Sequence, residues 1–361
     1  MFDLKAHLKT LVEAHGPYGH EGPVRDLVRA AWTDVVDEFE QDRLGSLIGI
    51  KRASQPLPEP RKIMLAAHMD EIGMMVRAVV DGFILVQKVS GIDNRVMLSQ
   101  PVLVHGRRPL SGVVASVPPH LLKGGNNNRY PEFDALVVDV GLPADEVAKW
   151  VRIGDLITAD VPLVELGGNR VAAKAFDDRI CVAAVTACLH HLKRLQHVWD
   201  VYAVATVQEE SGLLGARTSA FKVKPDIAIA LDVGFAKQPG VNDDKAIDIG
   251  GGPGIGIGPN FHPKLNEKIK DTARSLEIKI QDDLIPGASG TDAWAIQVAR
   301  EGVPTALLEI AIRNMHSPVE TADMRDVERT GRLLAEFIAA LDGDFLSALS
   351  WDELKTQETV S

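Results

Sequence analysis

The sequence contains very few cysteines: Cys181 and Cys188 are the only two among 361 residues, and both lie in one apolar segment. Two thiols in one segment exclude a disulfide framework, and their scarcity agrees with a reducing compartment. We interpret both as small residues of the core.

Long hydrophobic runs and excess basic charge are also lacking. No apolar stretch approaches the roughly 20 residues of a membrane-spanning helix, and the N-terminus, MFDLKAHLKTLVEAHG, lacks the apolar core of a signal peptide. With 39 basic against 50 acidic residues, the net charge is -11. This balance argues against nucleic acid or a membrane as a partner. We therefore expect a cytoplasmic protein.

The chain does have a globular composition, with 45% hydrophobic and 25% charged residues. Short apolar strands alternate with helical patterns up to residue 71 and again from residue 166. This alternation predicts an α/β fold with a mixed, mostly parallel sheet covered by helices. Helices are expected over 21–38 and 290–301, and a turn-rich loop over the glycine-rich residues 248–260. That loop lacks the Lys-Ser/Thr pair of a phosphate loop, so a nucleotide site is not expected.

Residues 72–165 differ from the rest because they consist of many short strands punctuated by glycine and proline. This pattern is typical of a small β-rich barrel or sandwich, and only ADEVAKWV, at 144–151, is predicted to be helical. We therefore predict an α/β domain formed by residues 1–71 and 166–345. The barrel-like insertion 72–165 interrupts it, and a poorly ordered tail, 346–361, follows it.

Ionisable side chains follow several of the predicted strands at the point where each strand ends. Because the carboxyl ends of parallel strands share one edge of a sheet, these groups are expected to converge. Carboxylates held so close together repel one another unless cations neutralise them. Histidine and carboxylate ligands suit zinc, cobalt or manganese, so a pair of divalent metal ions is predicted. The groups are His68, Asp70, Asp177, Asp178, Glu209, Glu210, Asp232 and His316.

Two local patterns refine this prediction. In HMD, His68 and Asp70 lie on the same side of an extended segment, so the carboxylate can accept the second ring N–H and orient a ligating imidazole. In QEE, the neighbouring carboxylates of Glu209 and Glu210 point in different directions. One can bind a metal ion while the other acts as a base towards the water that the metal activates.

Five motifs occur in an order that is highly specific when they are taken together: AAHMDEIG, KAFDDR, VQEESGLLGA, ALDVG and MHSPVE. They resemble the tetrahedral (TET) and glutamyl aminopeptidase family of cytosolic di-metal aminopeptidases. The likeness covers residues 5–340 and includes VHGRRPLSGVVASVPPHLL in the insertion. It implies an enzyme that hydrolyses N-terminal residues from peptides with water activated by two divalent ions.

The resemblance also implies a role for each residue. Asp177, rather than Asp178, would bridge the two ions. Glu209 would be the general base, and Asp70 would orient His68. The remaining ligands would be His68 and Asp232 on one ion, and Glu210 and His316 on the other.

For the assembly, the resemblance implies that the insertion makes dimer contacts and that dimers form a hollow dodecamer. Two residues depart from the family's usual pattern: Cys181 replaces a glycine, and Asn314 replaces a tyrosine beside a ligand. Neither change removes a ligand or the base, so an active enzyme is expected.

Two other classes of function stay open on the sequence. A related di-metal carboxypeptidase or deacylase would prefer a free carboxylate or an acylated amine. A non-catalytic assembly or peptide-binding protein would have no use for an intact ligand set. For an aminopeptidase, residues 285–296 and 309–317 are expected to line the first substrate pocket. Arg313 would either favour acidic residues there or hold the loop by hydrogen bonds.

Overall fold

Strands and helices alternate along most of the chain, as expected for an α/β protein. The structure is a computed structural model that describes residues 2–118, 130–242 and 246–350. In chain order the strands are β1 (Glu38–Gln41), β2 (Leu47–Lys51), β3 (Lys62–His68), β4 (Gly73–Val80), β5 (Phe83–Val89), β6 (Pro101–His105), β7 (Pro109–Ala115), β8 (Val137–Asp139), β9 (Leu156–Ala159), β10 (Val164–Glu165), β11 (Arg170–Ala173), β12 (Asp200–Thr206), β13 (Ile227–Phe235), β14 (Gly254–Ile257), β15 (Gln281–Leu284), β16 (Thr305–Ile312) and β17 (Glu320–Asp323). The helices are α1 (Leu4–Glu13), α2 (Gly22–Trp32), α3 (Asn94–Met97), α4 (Ala144–Trp150), α5 (Phe176–Leu192), α6 (Leu214–Val223), α7 (Pro263–Ser275), α8 (Asp292–Ile296), α9 (Met324–Ala339) and α10 (Phe345–Ala348).

Eight of the strands form one mixed sheet in the order β1-β2-β12-β3-β13-β16-β14-β15. Its central strands, β12, β3, β13 and β16, are parallel to one another. The β1–β2 hairpin adds antiparallel pairing at one edge, and β14 is antiparallel to β16 near the other. The predicted sheet, mixed with a parallel centre, is therefore confirmed.

Helices cover both faces of this sheet, and successive residues of a strand point to opposite faces. Ile63 and Leu65 of β3 pack in one core with α1, α2, α5, α7 and α9. Met64 and Ala66 pack in another core with α6 and α8. Because residues two apart share a face, His68 lies on the α6/α8 side of the sheet.

The predicted β-rich insertion is a closed barrel of six strands, β4-β5-β8-β7-β6-β9. All six pairings are antiparallel. Apolar side chains such as Val76, Val86, Val104 and Ile157 fill its core, and the predicted helix at 144–151 is α4. Within the insertion, residues 119–122 of the motif VHGRRPLSGVVASVPPHLL lie outside the described residues.

A small antiparallel sheet, β10-β11-β17, joins two distant parts of the chain. Ala173, at the end of β11, pairs with Glu320, at the start of β17. Since α5 follows β11 directly and β17 follows His316, this pairing brings the first residues of α5 beside the segment that carries His316.

Two predicted helices are longer than the observed ones. The helix expected over 21–38 ends at Trp32, and Glu38–Gln41 pairs instead with β2. Asp42 stabilises the intervening turn by accepting backbone hydrogen bonds from Leu44, Gly45 and Ser46. The helix expected over 290–301 is confined to α8, which ends at Ile296, and the left-handed backbone of Arg300 is incompatible with helix at the end of the predicted range.

The glycine-rich segment and the tail also differ from expectation. Gly254–Ile257 is not loop but strand β14, which hydrogen-bonds β15 and β16. At the C-terminus, α10 is formed and Leu349 is buried, with its carbonyl accepting a hydrogen bond from Nε2 of His262 at 2.9 Å. The predicted disorder is therefore wrong for residues 346–350, and residues 351–361 lie outside the described part. None of the helices in the described ranges is long and apolar enough to cross a bilayer.

Candidate metal centre

The site lies at the carboxyl ends of the parallel strands, where the sequence predicts it. His68 is the last residue of β3, and Asp232 lies near the end of β13. Glu209 and Glu210 follow β12 within four residues. All four belong to the edge of the sheet where open α/β proteins build their sites.

The carboxylate of Asp177 lies between two imidazoles. Its Oδ1 is 3.0 Å from Nε2 of His68, and its Oδ2 is 3.2 Å from Nε2 of His316. Asp177 stands at the start of α5 with non-helical dihedral angles, and its peptide bond to Asp178 is cis. The two distances show that each carboxylate oxygen faces a different imidazole, which is the arrangement expected of a ligand shared by two cations. Asp178 points elsewhere and accepts the backbone N–H of His68 at 3.2 Å.

Asp70 is fully buried and connects the end of β3 to the segment after β12. Its two carboxylate oxygens accept the backbone N–H groups of Glu209, at 3.0 Å, and Glu210, at 3.1 Å. Its Oδ1 also lies 3.5 Å from Nδ1 of His68, although the backbone carbonyl of Asp70 is nearer to that nitrogen, at 3.2 Å. Asp70 therefore contacts the ligand that it is predicted to orient, and it positions both glutamates as well.

The two glutamates approach different histidines. Glu209 Oε2 lies 3.8 Å from Nε2 of His68, and Glu210 Oε2 lies 3.7 Å from Nε2 of His316. The side chains of His68, Glu209 and Asp232 offer ligand atoms within 4.8 Å of one another. Those of His68, Asp177 and Glu210 form a second such group. The two groups share His68, and each offers histidine and carboxylate donors close enough together to hold a cation.

The electrostatics of the cluster favour a cation. Burial, together with Asp232 and other carboxylates, raises the pKa of Glu209 to about 11 against the attraction of His68. Burial and the neighbouring Asp177 raise the pKa of Glu210 to about 7. The hydrogen bond to Asp177 raises the pKa of His316 to about 9. Glu210 Oε1 is buried and has no hydrogen-bond partner among the described residues. Divalent cations would neutralise this buried negative charge and use the orphaned oxygen, so the residues fit the predicted metal ions.

Three further groups support the site, and the sequence-based prediction did not include them. Glu320 is buried and accepts the backbone N–H groups of Asp177, at 3.1 Å, and His316, at 2.8 Å. From the barrel, the Ser90 hydroxyl donates to Glu210 Oε2 at 2.7 Å. The carbonyl of Gly91 lies 3.2 Å from Nδ1 of His316. Glu320 could have been predicted, because it is the last residue of the motif MHSPVE. Nothing in the local sequence around Ser90 indicates a contact with Glu210.

A cleft of about 720 Å³ opens above the cluster. Both segments expected to line the first substrate pocket contribute to it, with residues 285–291 on one side and Glu309 and Met315 on another. Arg313 is not among its lining residues, and its Nε donates a hydrogen bond to the carbonyl of Lys237 at 3.1 Å. Of the two alternatives for Arg313, the loop-holding contact is the one that the structure contains.

The two departures from the family pattern have local roles. The Cys181 thiol donates a hydrogen bond to the carbonyl of Asp232 at 3.2 Å. Asn314 adopts a left-handed backbone conformation with φ 58°, which asparagine tolerates better than most residues. Both substitutions leave the predicted ligands in place.

Comparisons with known proteins place this combination of fold and site among the aminopeptidases. Residues 45–333 match the profile of the M42 glutamyl aminopeptidases, and the chain belongs to that family. The resemblance stated from the motifs is thereby confirmed.

Individual relatives agree over almost the whole length. The lysyl aminopeptidase of Pyrococcus furiosus is 38% identical over 340 residues, which is 92% of this chain and 96% of the relative. A TET aminopeptidase from the marine sediment archaeon Thaumarchaeota archaeon SCGC AB-539-E09 has a TM-score of 0.90 at 32% identity, covering 96% of this chain and 99% of that one. The TET1 peptidase of Pyrococcus horikoshii, which can assemble into a tetrahedron or a large octahedral shell, has a TM-score of 0.81 at 29% identity, with 94% and 100% coverage.

Proposed function

We propose that the protein is a metal-dependent aminopeptidase that removes single residues from the N-termini of peptides. The observation that carries this proposal is the carboxylate of Asp177, which spans His68 and His316 beneath an open cleft. Membership of an aminopeptidase family supports the reaction class.

Two divalent cations per chain are part of the proposal, with zinc, cobalt or manganese as the candidates. Bound cations at such a centre supply a Lewis acid and lower the pKa of water. Asp177 would be their shared ligand. His68 and Asp232 would complete one site, and Glu210 and His316 would complete the other.

Glu209 is proposed as the general base. It lies at the floor of the cleft, and its Oε2 is within 3.8 Å of His68. A carboxylate in this position can take a proton from the attacking water and return it to the leaving amine. Since its side chain is also close enough to His68 and Asp232 to share a cation with them, its assignment as the base rather than a ligand needs a direct test.

Asp70 is proposed as a positioning residue for this base. Its hydrogen bonds to the N–H groups of Glu209 and Glu210 fix the backbone from which both side chains extend. Because a base must lie within hydrogen-bond reach of the proton it accepts, this support affects the chemical step directly.

The assembly and location are proposed from the relatives. The tetrahedral and octahedral shells of the Pyrococcus horikoshii peptidase support a homo-oligomer. Dimers that contact through the barrel and assemble into a dodecamer are the finer proposal, which the family resemblance implies. A cytoplasmic location is proposed from the low number of cysteines. Size-exclusion chromatography with light scattering would measure the assembly.

The decisive experiment is hydrolysis of aminoacyl-p-nitroanilides after chelation and after re-addition of zinc, cobalt or manganese. Free and N-acetylated forms of each substrate are assayed side by side. Cleavage that depends on metal and is restricted to free amines is the expected result. Cleavage of the acetylated forms, or of peptides only from their carboxyl end, would favour a deacylase or carboxypeptidase. Normal folding without bound metal or hydrolysis would favour the non-catalytic alternative.

A further inference from the structure

Glu309 lines the cleft, but it has no role in the hydrolysis proposed above. It is the one charged residue of the strand TALLEIAI and is only 4% exposed. Its Oε2 has no hydrogen-bond partner among the described residues, yet the residue lines the same cleft as Asp177 and Glu209. Burying a carboxylate oxygen without a partner is costly, so this side chain points to a ligand group that binds there.

The position of Glu309 is one strand away from the proposed metal ligands. In the parallel pair β13–β16 it is the register partner of Asp232, and in the pair β14–β16 it is the partner of Gly254. Register partners project from the same face of a sheet, and neighbouring strands lie about 4.8 Å apart. Glu309 therefore faces the cleft beside the catalytic centre.

A second carboxyl group meets Glu309 from β15, on the far side of β14. Asp283 pairs in register with Gly256 of β14 and lines the same cleft as Glu309, and each of the two carboxyl groups affects the pKa of the other. The intervening strand carries glycine where a side chain would intrude. A Cβ placed on Gly254 would lie 3.2 Å from Cβ of Glu309 and 3.4 Å from its Oε2. The glycine at position 254 thus leaves room for the side chain of Glu309 beside β14.

This pair of carboxyl groups lacks a positive partner. Burial and the proximity of Asp283 raise the pKa of Glu309 well above its usual value, and burial raises the pKa of Asp283 as well. No lysine or arginine is among the described residues that line the cleft, and its only basic side chain, His316, is engaged by Asp177. A cation brought by the ligand would satisfy both carboxylates.

The approach to the pair is apolar. Val233, Phe235, Leu284 and Met315 line the cleft together with Asp283 and Glu309. Phe235 and Leu284 are 51% and 64% exposed, respectively, so their surfaces are open to a ligand. An apolar wall that ends in carboxylates matches a side chain with a hydrocarbon stem and a charged tip.

We propose that Asp283 and Glu309 form the end of the pocket that receives the first substrate side chain, and that they select N-terminal residues with a cationic side chain, lysine or arginine. This inference rests on the proposed aminopeptidase function and adds a substrate class to it. The pocket is therefore expected to prefer cationic residues and not the acidic residues that Arg313 would have favoured.

The test compares lysyl and norleucyl p-nitroanilides, whose side chains have similar stems but differ in the terminal ammonium group. The proteins are the wild type and the variants Glu309→Gln and Asp283→Asn. Asp282→Asn is the matched control, because Asp282 is adjacent in β15, is exposed, forms an ion pair with Lys270 at 2.6 Å, and is not among the residues that line the cleft. Binding of L-lysinol and L-norleucinol, measured by isothermal titration calorimetry, gives a readout that does not depend on turnover.

The wild type is expected to prefer the lysyl substrate by at least about tenfold in kcat/KM, and Glu309→Gln should remove most of this preference. The same variant should change norleucyl hydrolysis by less than about threefold, and Asp282→Asn should leave the preference intact. Equal loss on both substrates would overturn the inference, since it would mean that Glu309 binds the α-amine or supports the fold.

The two proposals fail in different ways. If the wild type hydrolyses both substrates without a lysyl preference, the pocket assignment is wrong and the aminopeptidase function stands. If it hydrolyses neither substrate but binds lysinol more tightly than norleucinol, and Glu309→Gln abolishes that difference, the cation pocket stands and the proposed hydrolysis is wrong.

Discussion

The carboxylate of Asp70 holds the backbone of Glu209 in place, because its Oδ1 accepts the N–H of Glu209 at 3.0 Å. Its other oxygen accepts the next N–H along the chain, that of Glu210. The preceding residue, Gln208, has a left-handed conformation with φ 58°. A single buried side chain just after β3 therefore fixes the backbone of both the proposed base, Glu209, and one proposed ligand, Glu210.

Replacement of Asp70 by asparagine should lower kcat by about 10- to 100-fold, because an amide cannot accept both N–H groups and leaves one buried donor unpaired. The KM for an aminoacyl substrate should change little, since Asp70 is not among the residues that line the cleft. Asp226→Asn is the control: Asp226 also accepts a backbone N–H, that of Lys62, at the opposite end of the sheet. Equal kcat values for the two variants would contradict a positioning role for Asp70.

Glu209→Gln should reduce kcat by about 10²- to 10⁴-fold, because the amide cannot accept the proton of the attacking water. Metal content, determined by mass spectrometry of the purified protein, should match that of the wild type. Glu301→Gln, at an exposed position, is the control. If Glu209→Gln instead loses metal, Glu209 is a ligand and the general base must be sought elsewhere.

Because Asp177 contacts both His68 and His316, we expect its replacement to remove more metal than replacement of His316 alone. His316→Ala should lose one of the two proposed ions, because His68, Asp232 and Asp177 still offer a complete site. Asp177→Asn should weaken both sites, since each of its oxygens faces a different histidine. The metal-to-protein ratio after dialysis checks this order, and retention of both ions by Asp177→Asn would rule out a shared ligand.

A buried ion cluster next to the site is expected to contribute to the stability of the fold rather than to catalysis. Glu71 is 3% exposed and contacts Lys174 at 2.7 Å and Arg179 at 3.1 Å. Although burial opposes the charged carboxylate, the two cations lower the pKa of Glu71 to about 2 from 4.5. Glu71→Gln would leave both cations buried without their carboxylate, so it should lower the free energy of unfolding by about 3–5 kcal/mol.

The same cluster predicts a pH dependence. Because the pKa of Glu71 is lower in the folded state, its contribution to stability is complete above about pH 4.5 and is lost as the pH falls towards 2. The difference in unfolding free energy between wild type and Glu71→Gln should therefore be about 1 kcal/mol smaller at pH 4 than at pH 6. Urea denaturation at the two pH values measures it, and a difference that grows at pH 4 would contradict the assignment.

Which side chains lie together at the candidate site could be predicted from the sequence, because their positions follow from strand geometry. Parallel strands deliver their carboxyl ends to one edge, so His68 and Asp232 could be expected to meet without a known structure. The motifs then located Asp177 and His316. Glu309 begins the segment 309–317 that is expected to line the substrate pocket, but its role was harder to predict, since it interrupts an apolar strand and none of the five motifs includes it.

Element boundaries were less predictable than the site. The helix expected over 21–38 ends at Trp32, and Glu38–Gln41 forms a hairpin with Leu47–Lys51 that helical periodicity does not predict. The glycine-rich residues 248–260 contain strand β14, and its glycines reflect close packing against neighbouring side chains rather than a loop. A Cβ on Gly256 would lie 2.7 Å from the ring of Phe261, a contact that only the folded structure reveals.

The contacts of Ser90 and Gly91 with Glu210 and His316 have a consequence for biosynthesis. These partners leave the ribosome more than a hundred residues apart, since Ser90 precedes Glu210 by 120 positions and Gly91 precedes His316 by 225. The barrel can fold early, as N-terminal units do during synthesis, but its contact with His316 forms only after a further 225 residues have followed Gly91. A growing polypeptide thus carries no complete centre until His316 has been synthesised, and hydrolytic competence under the proposed mechanism arises only after that point.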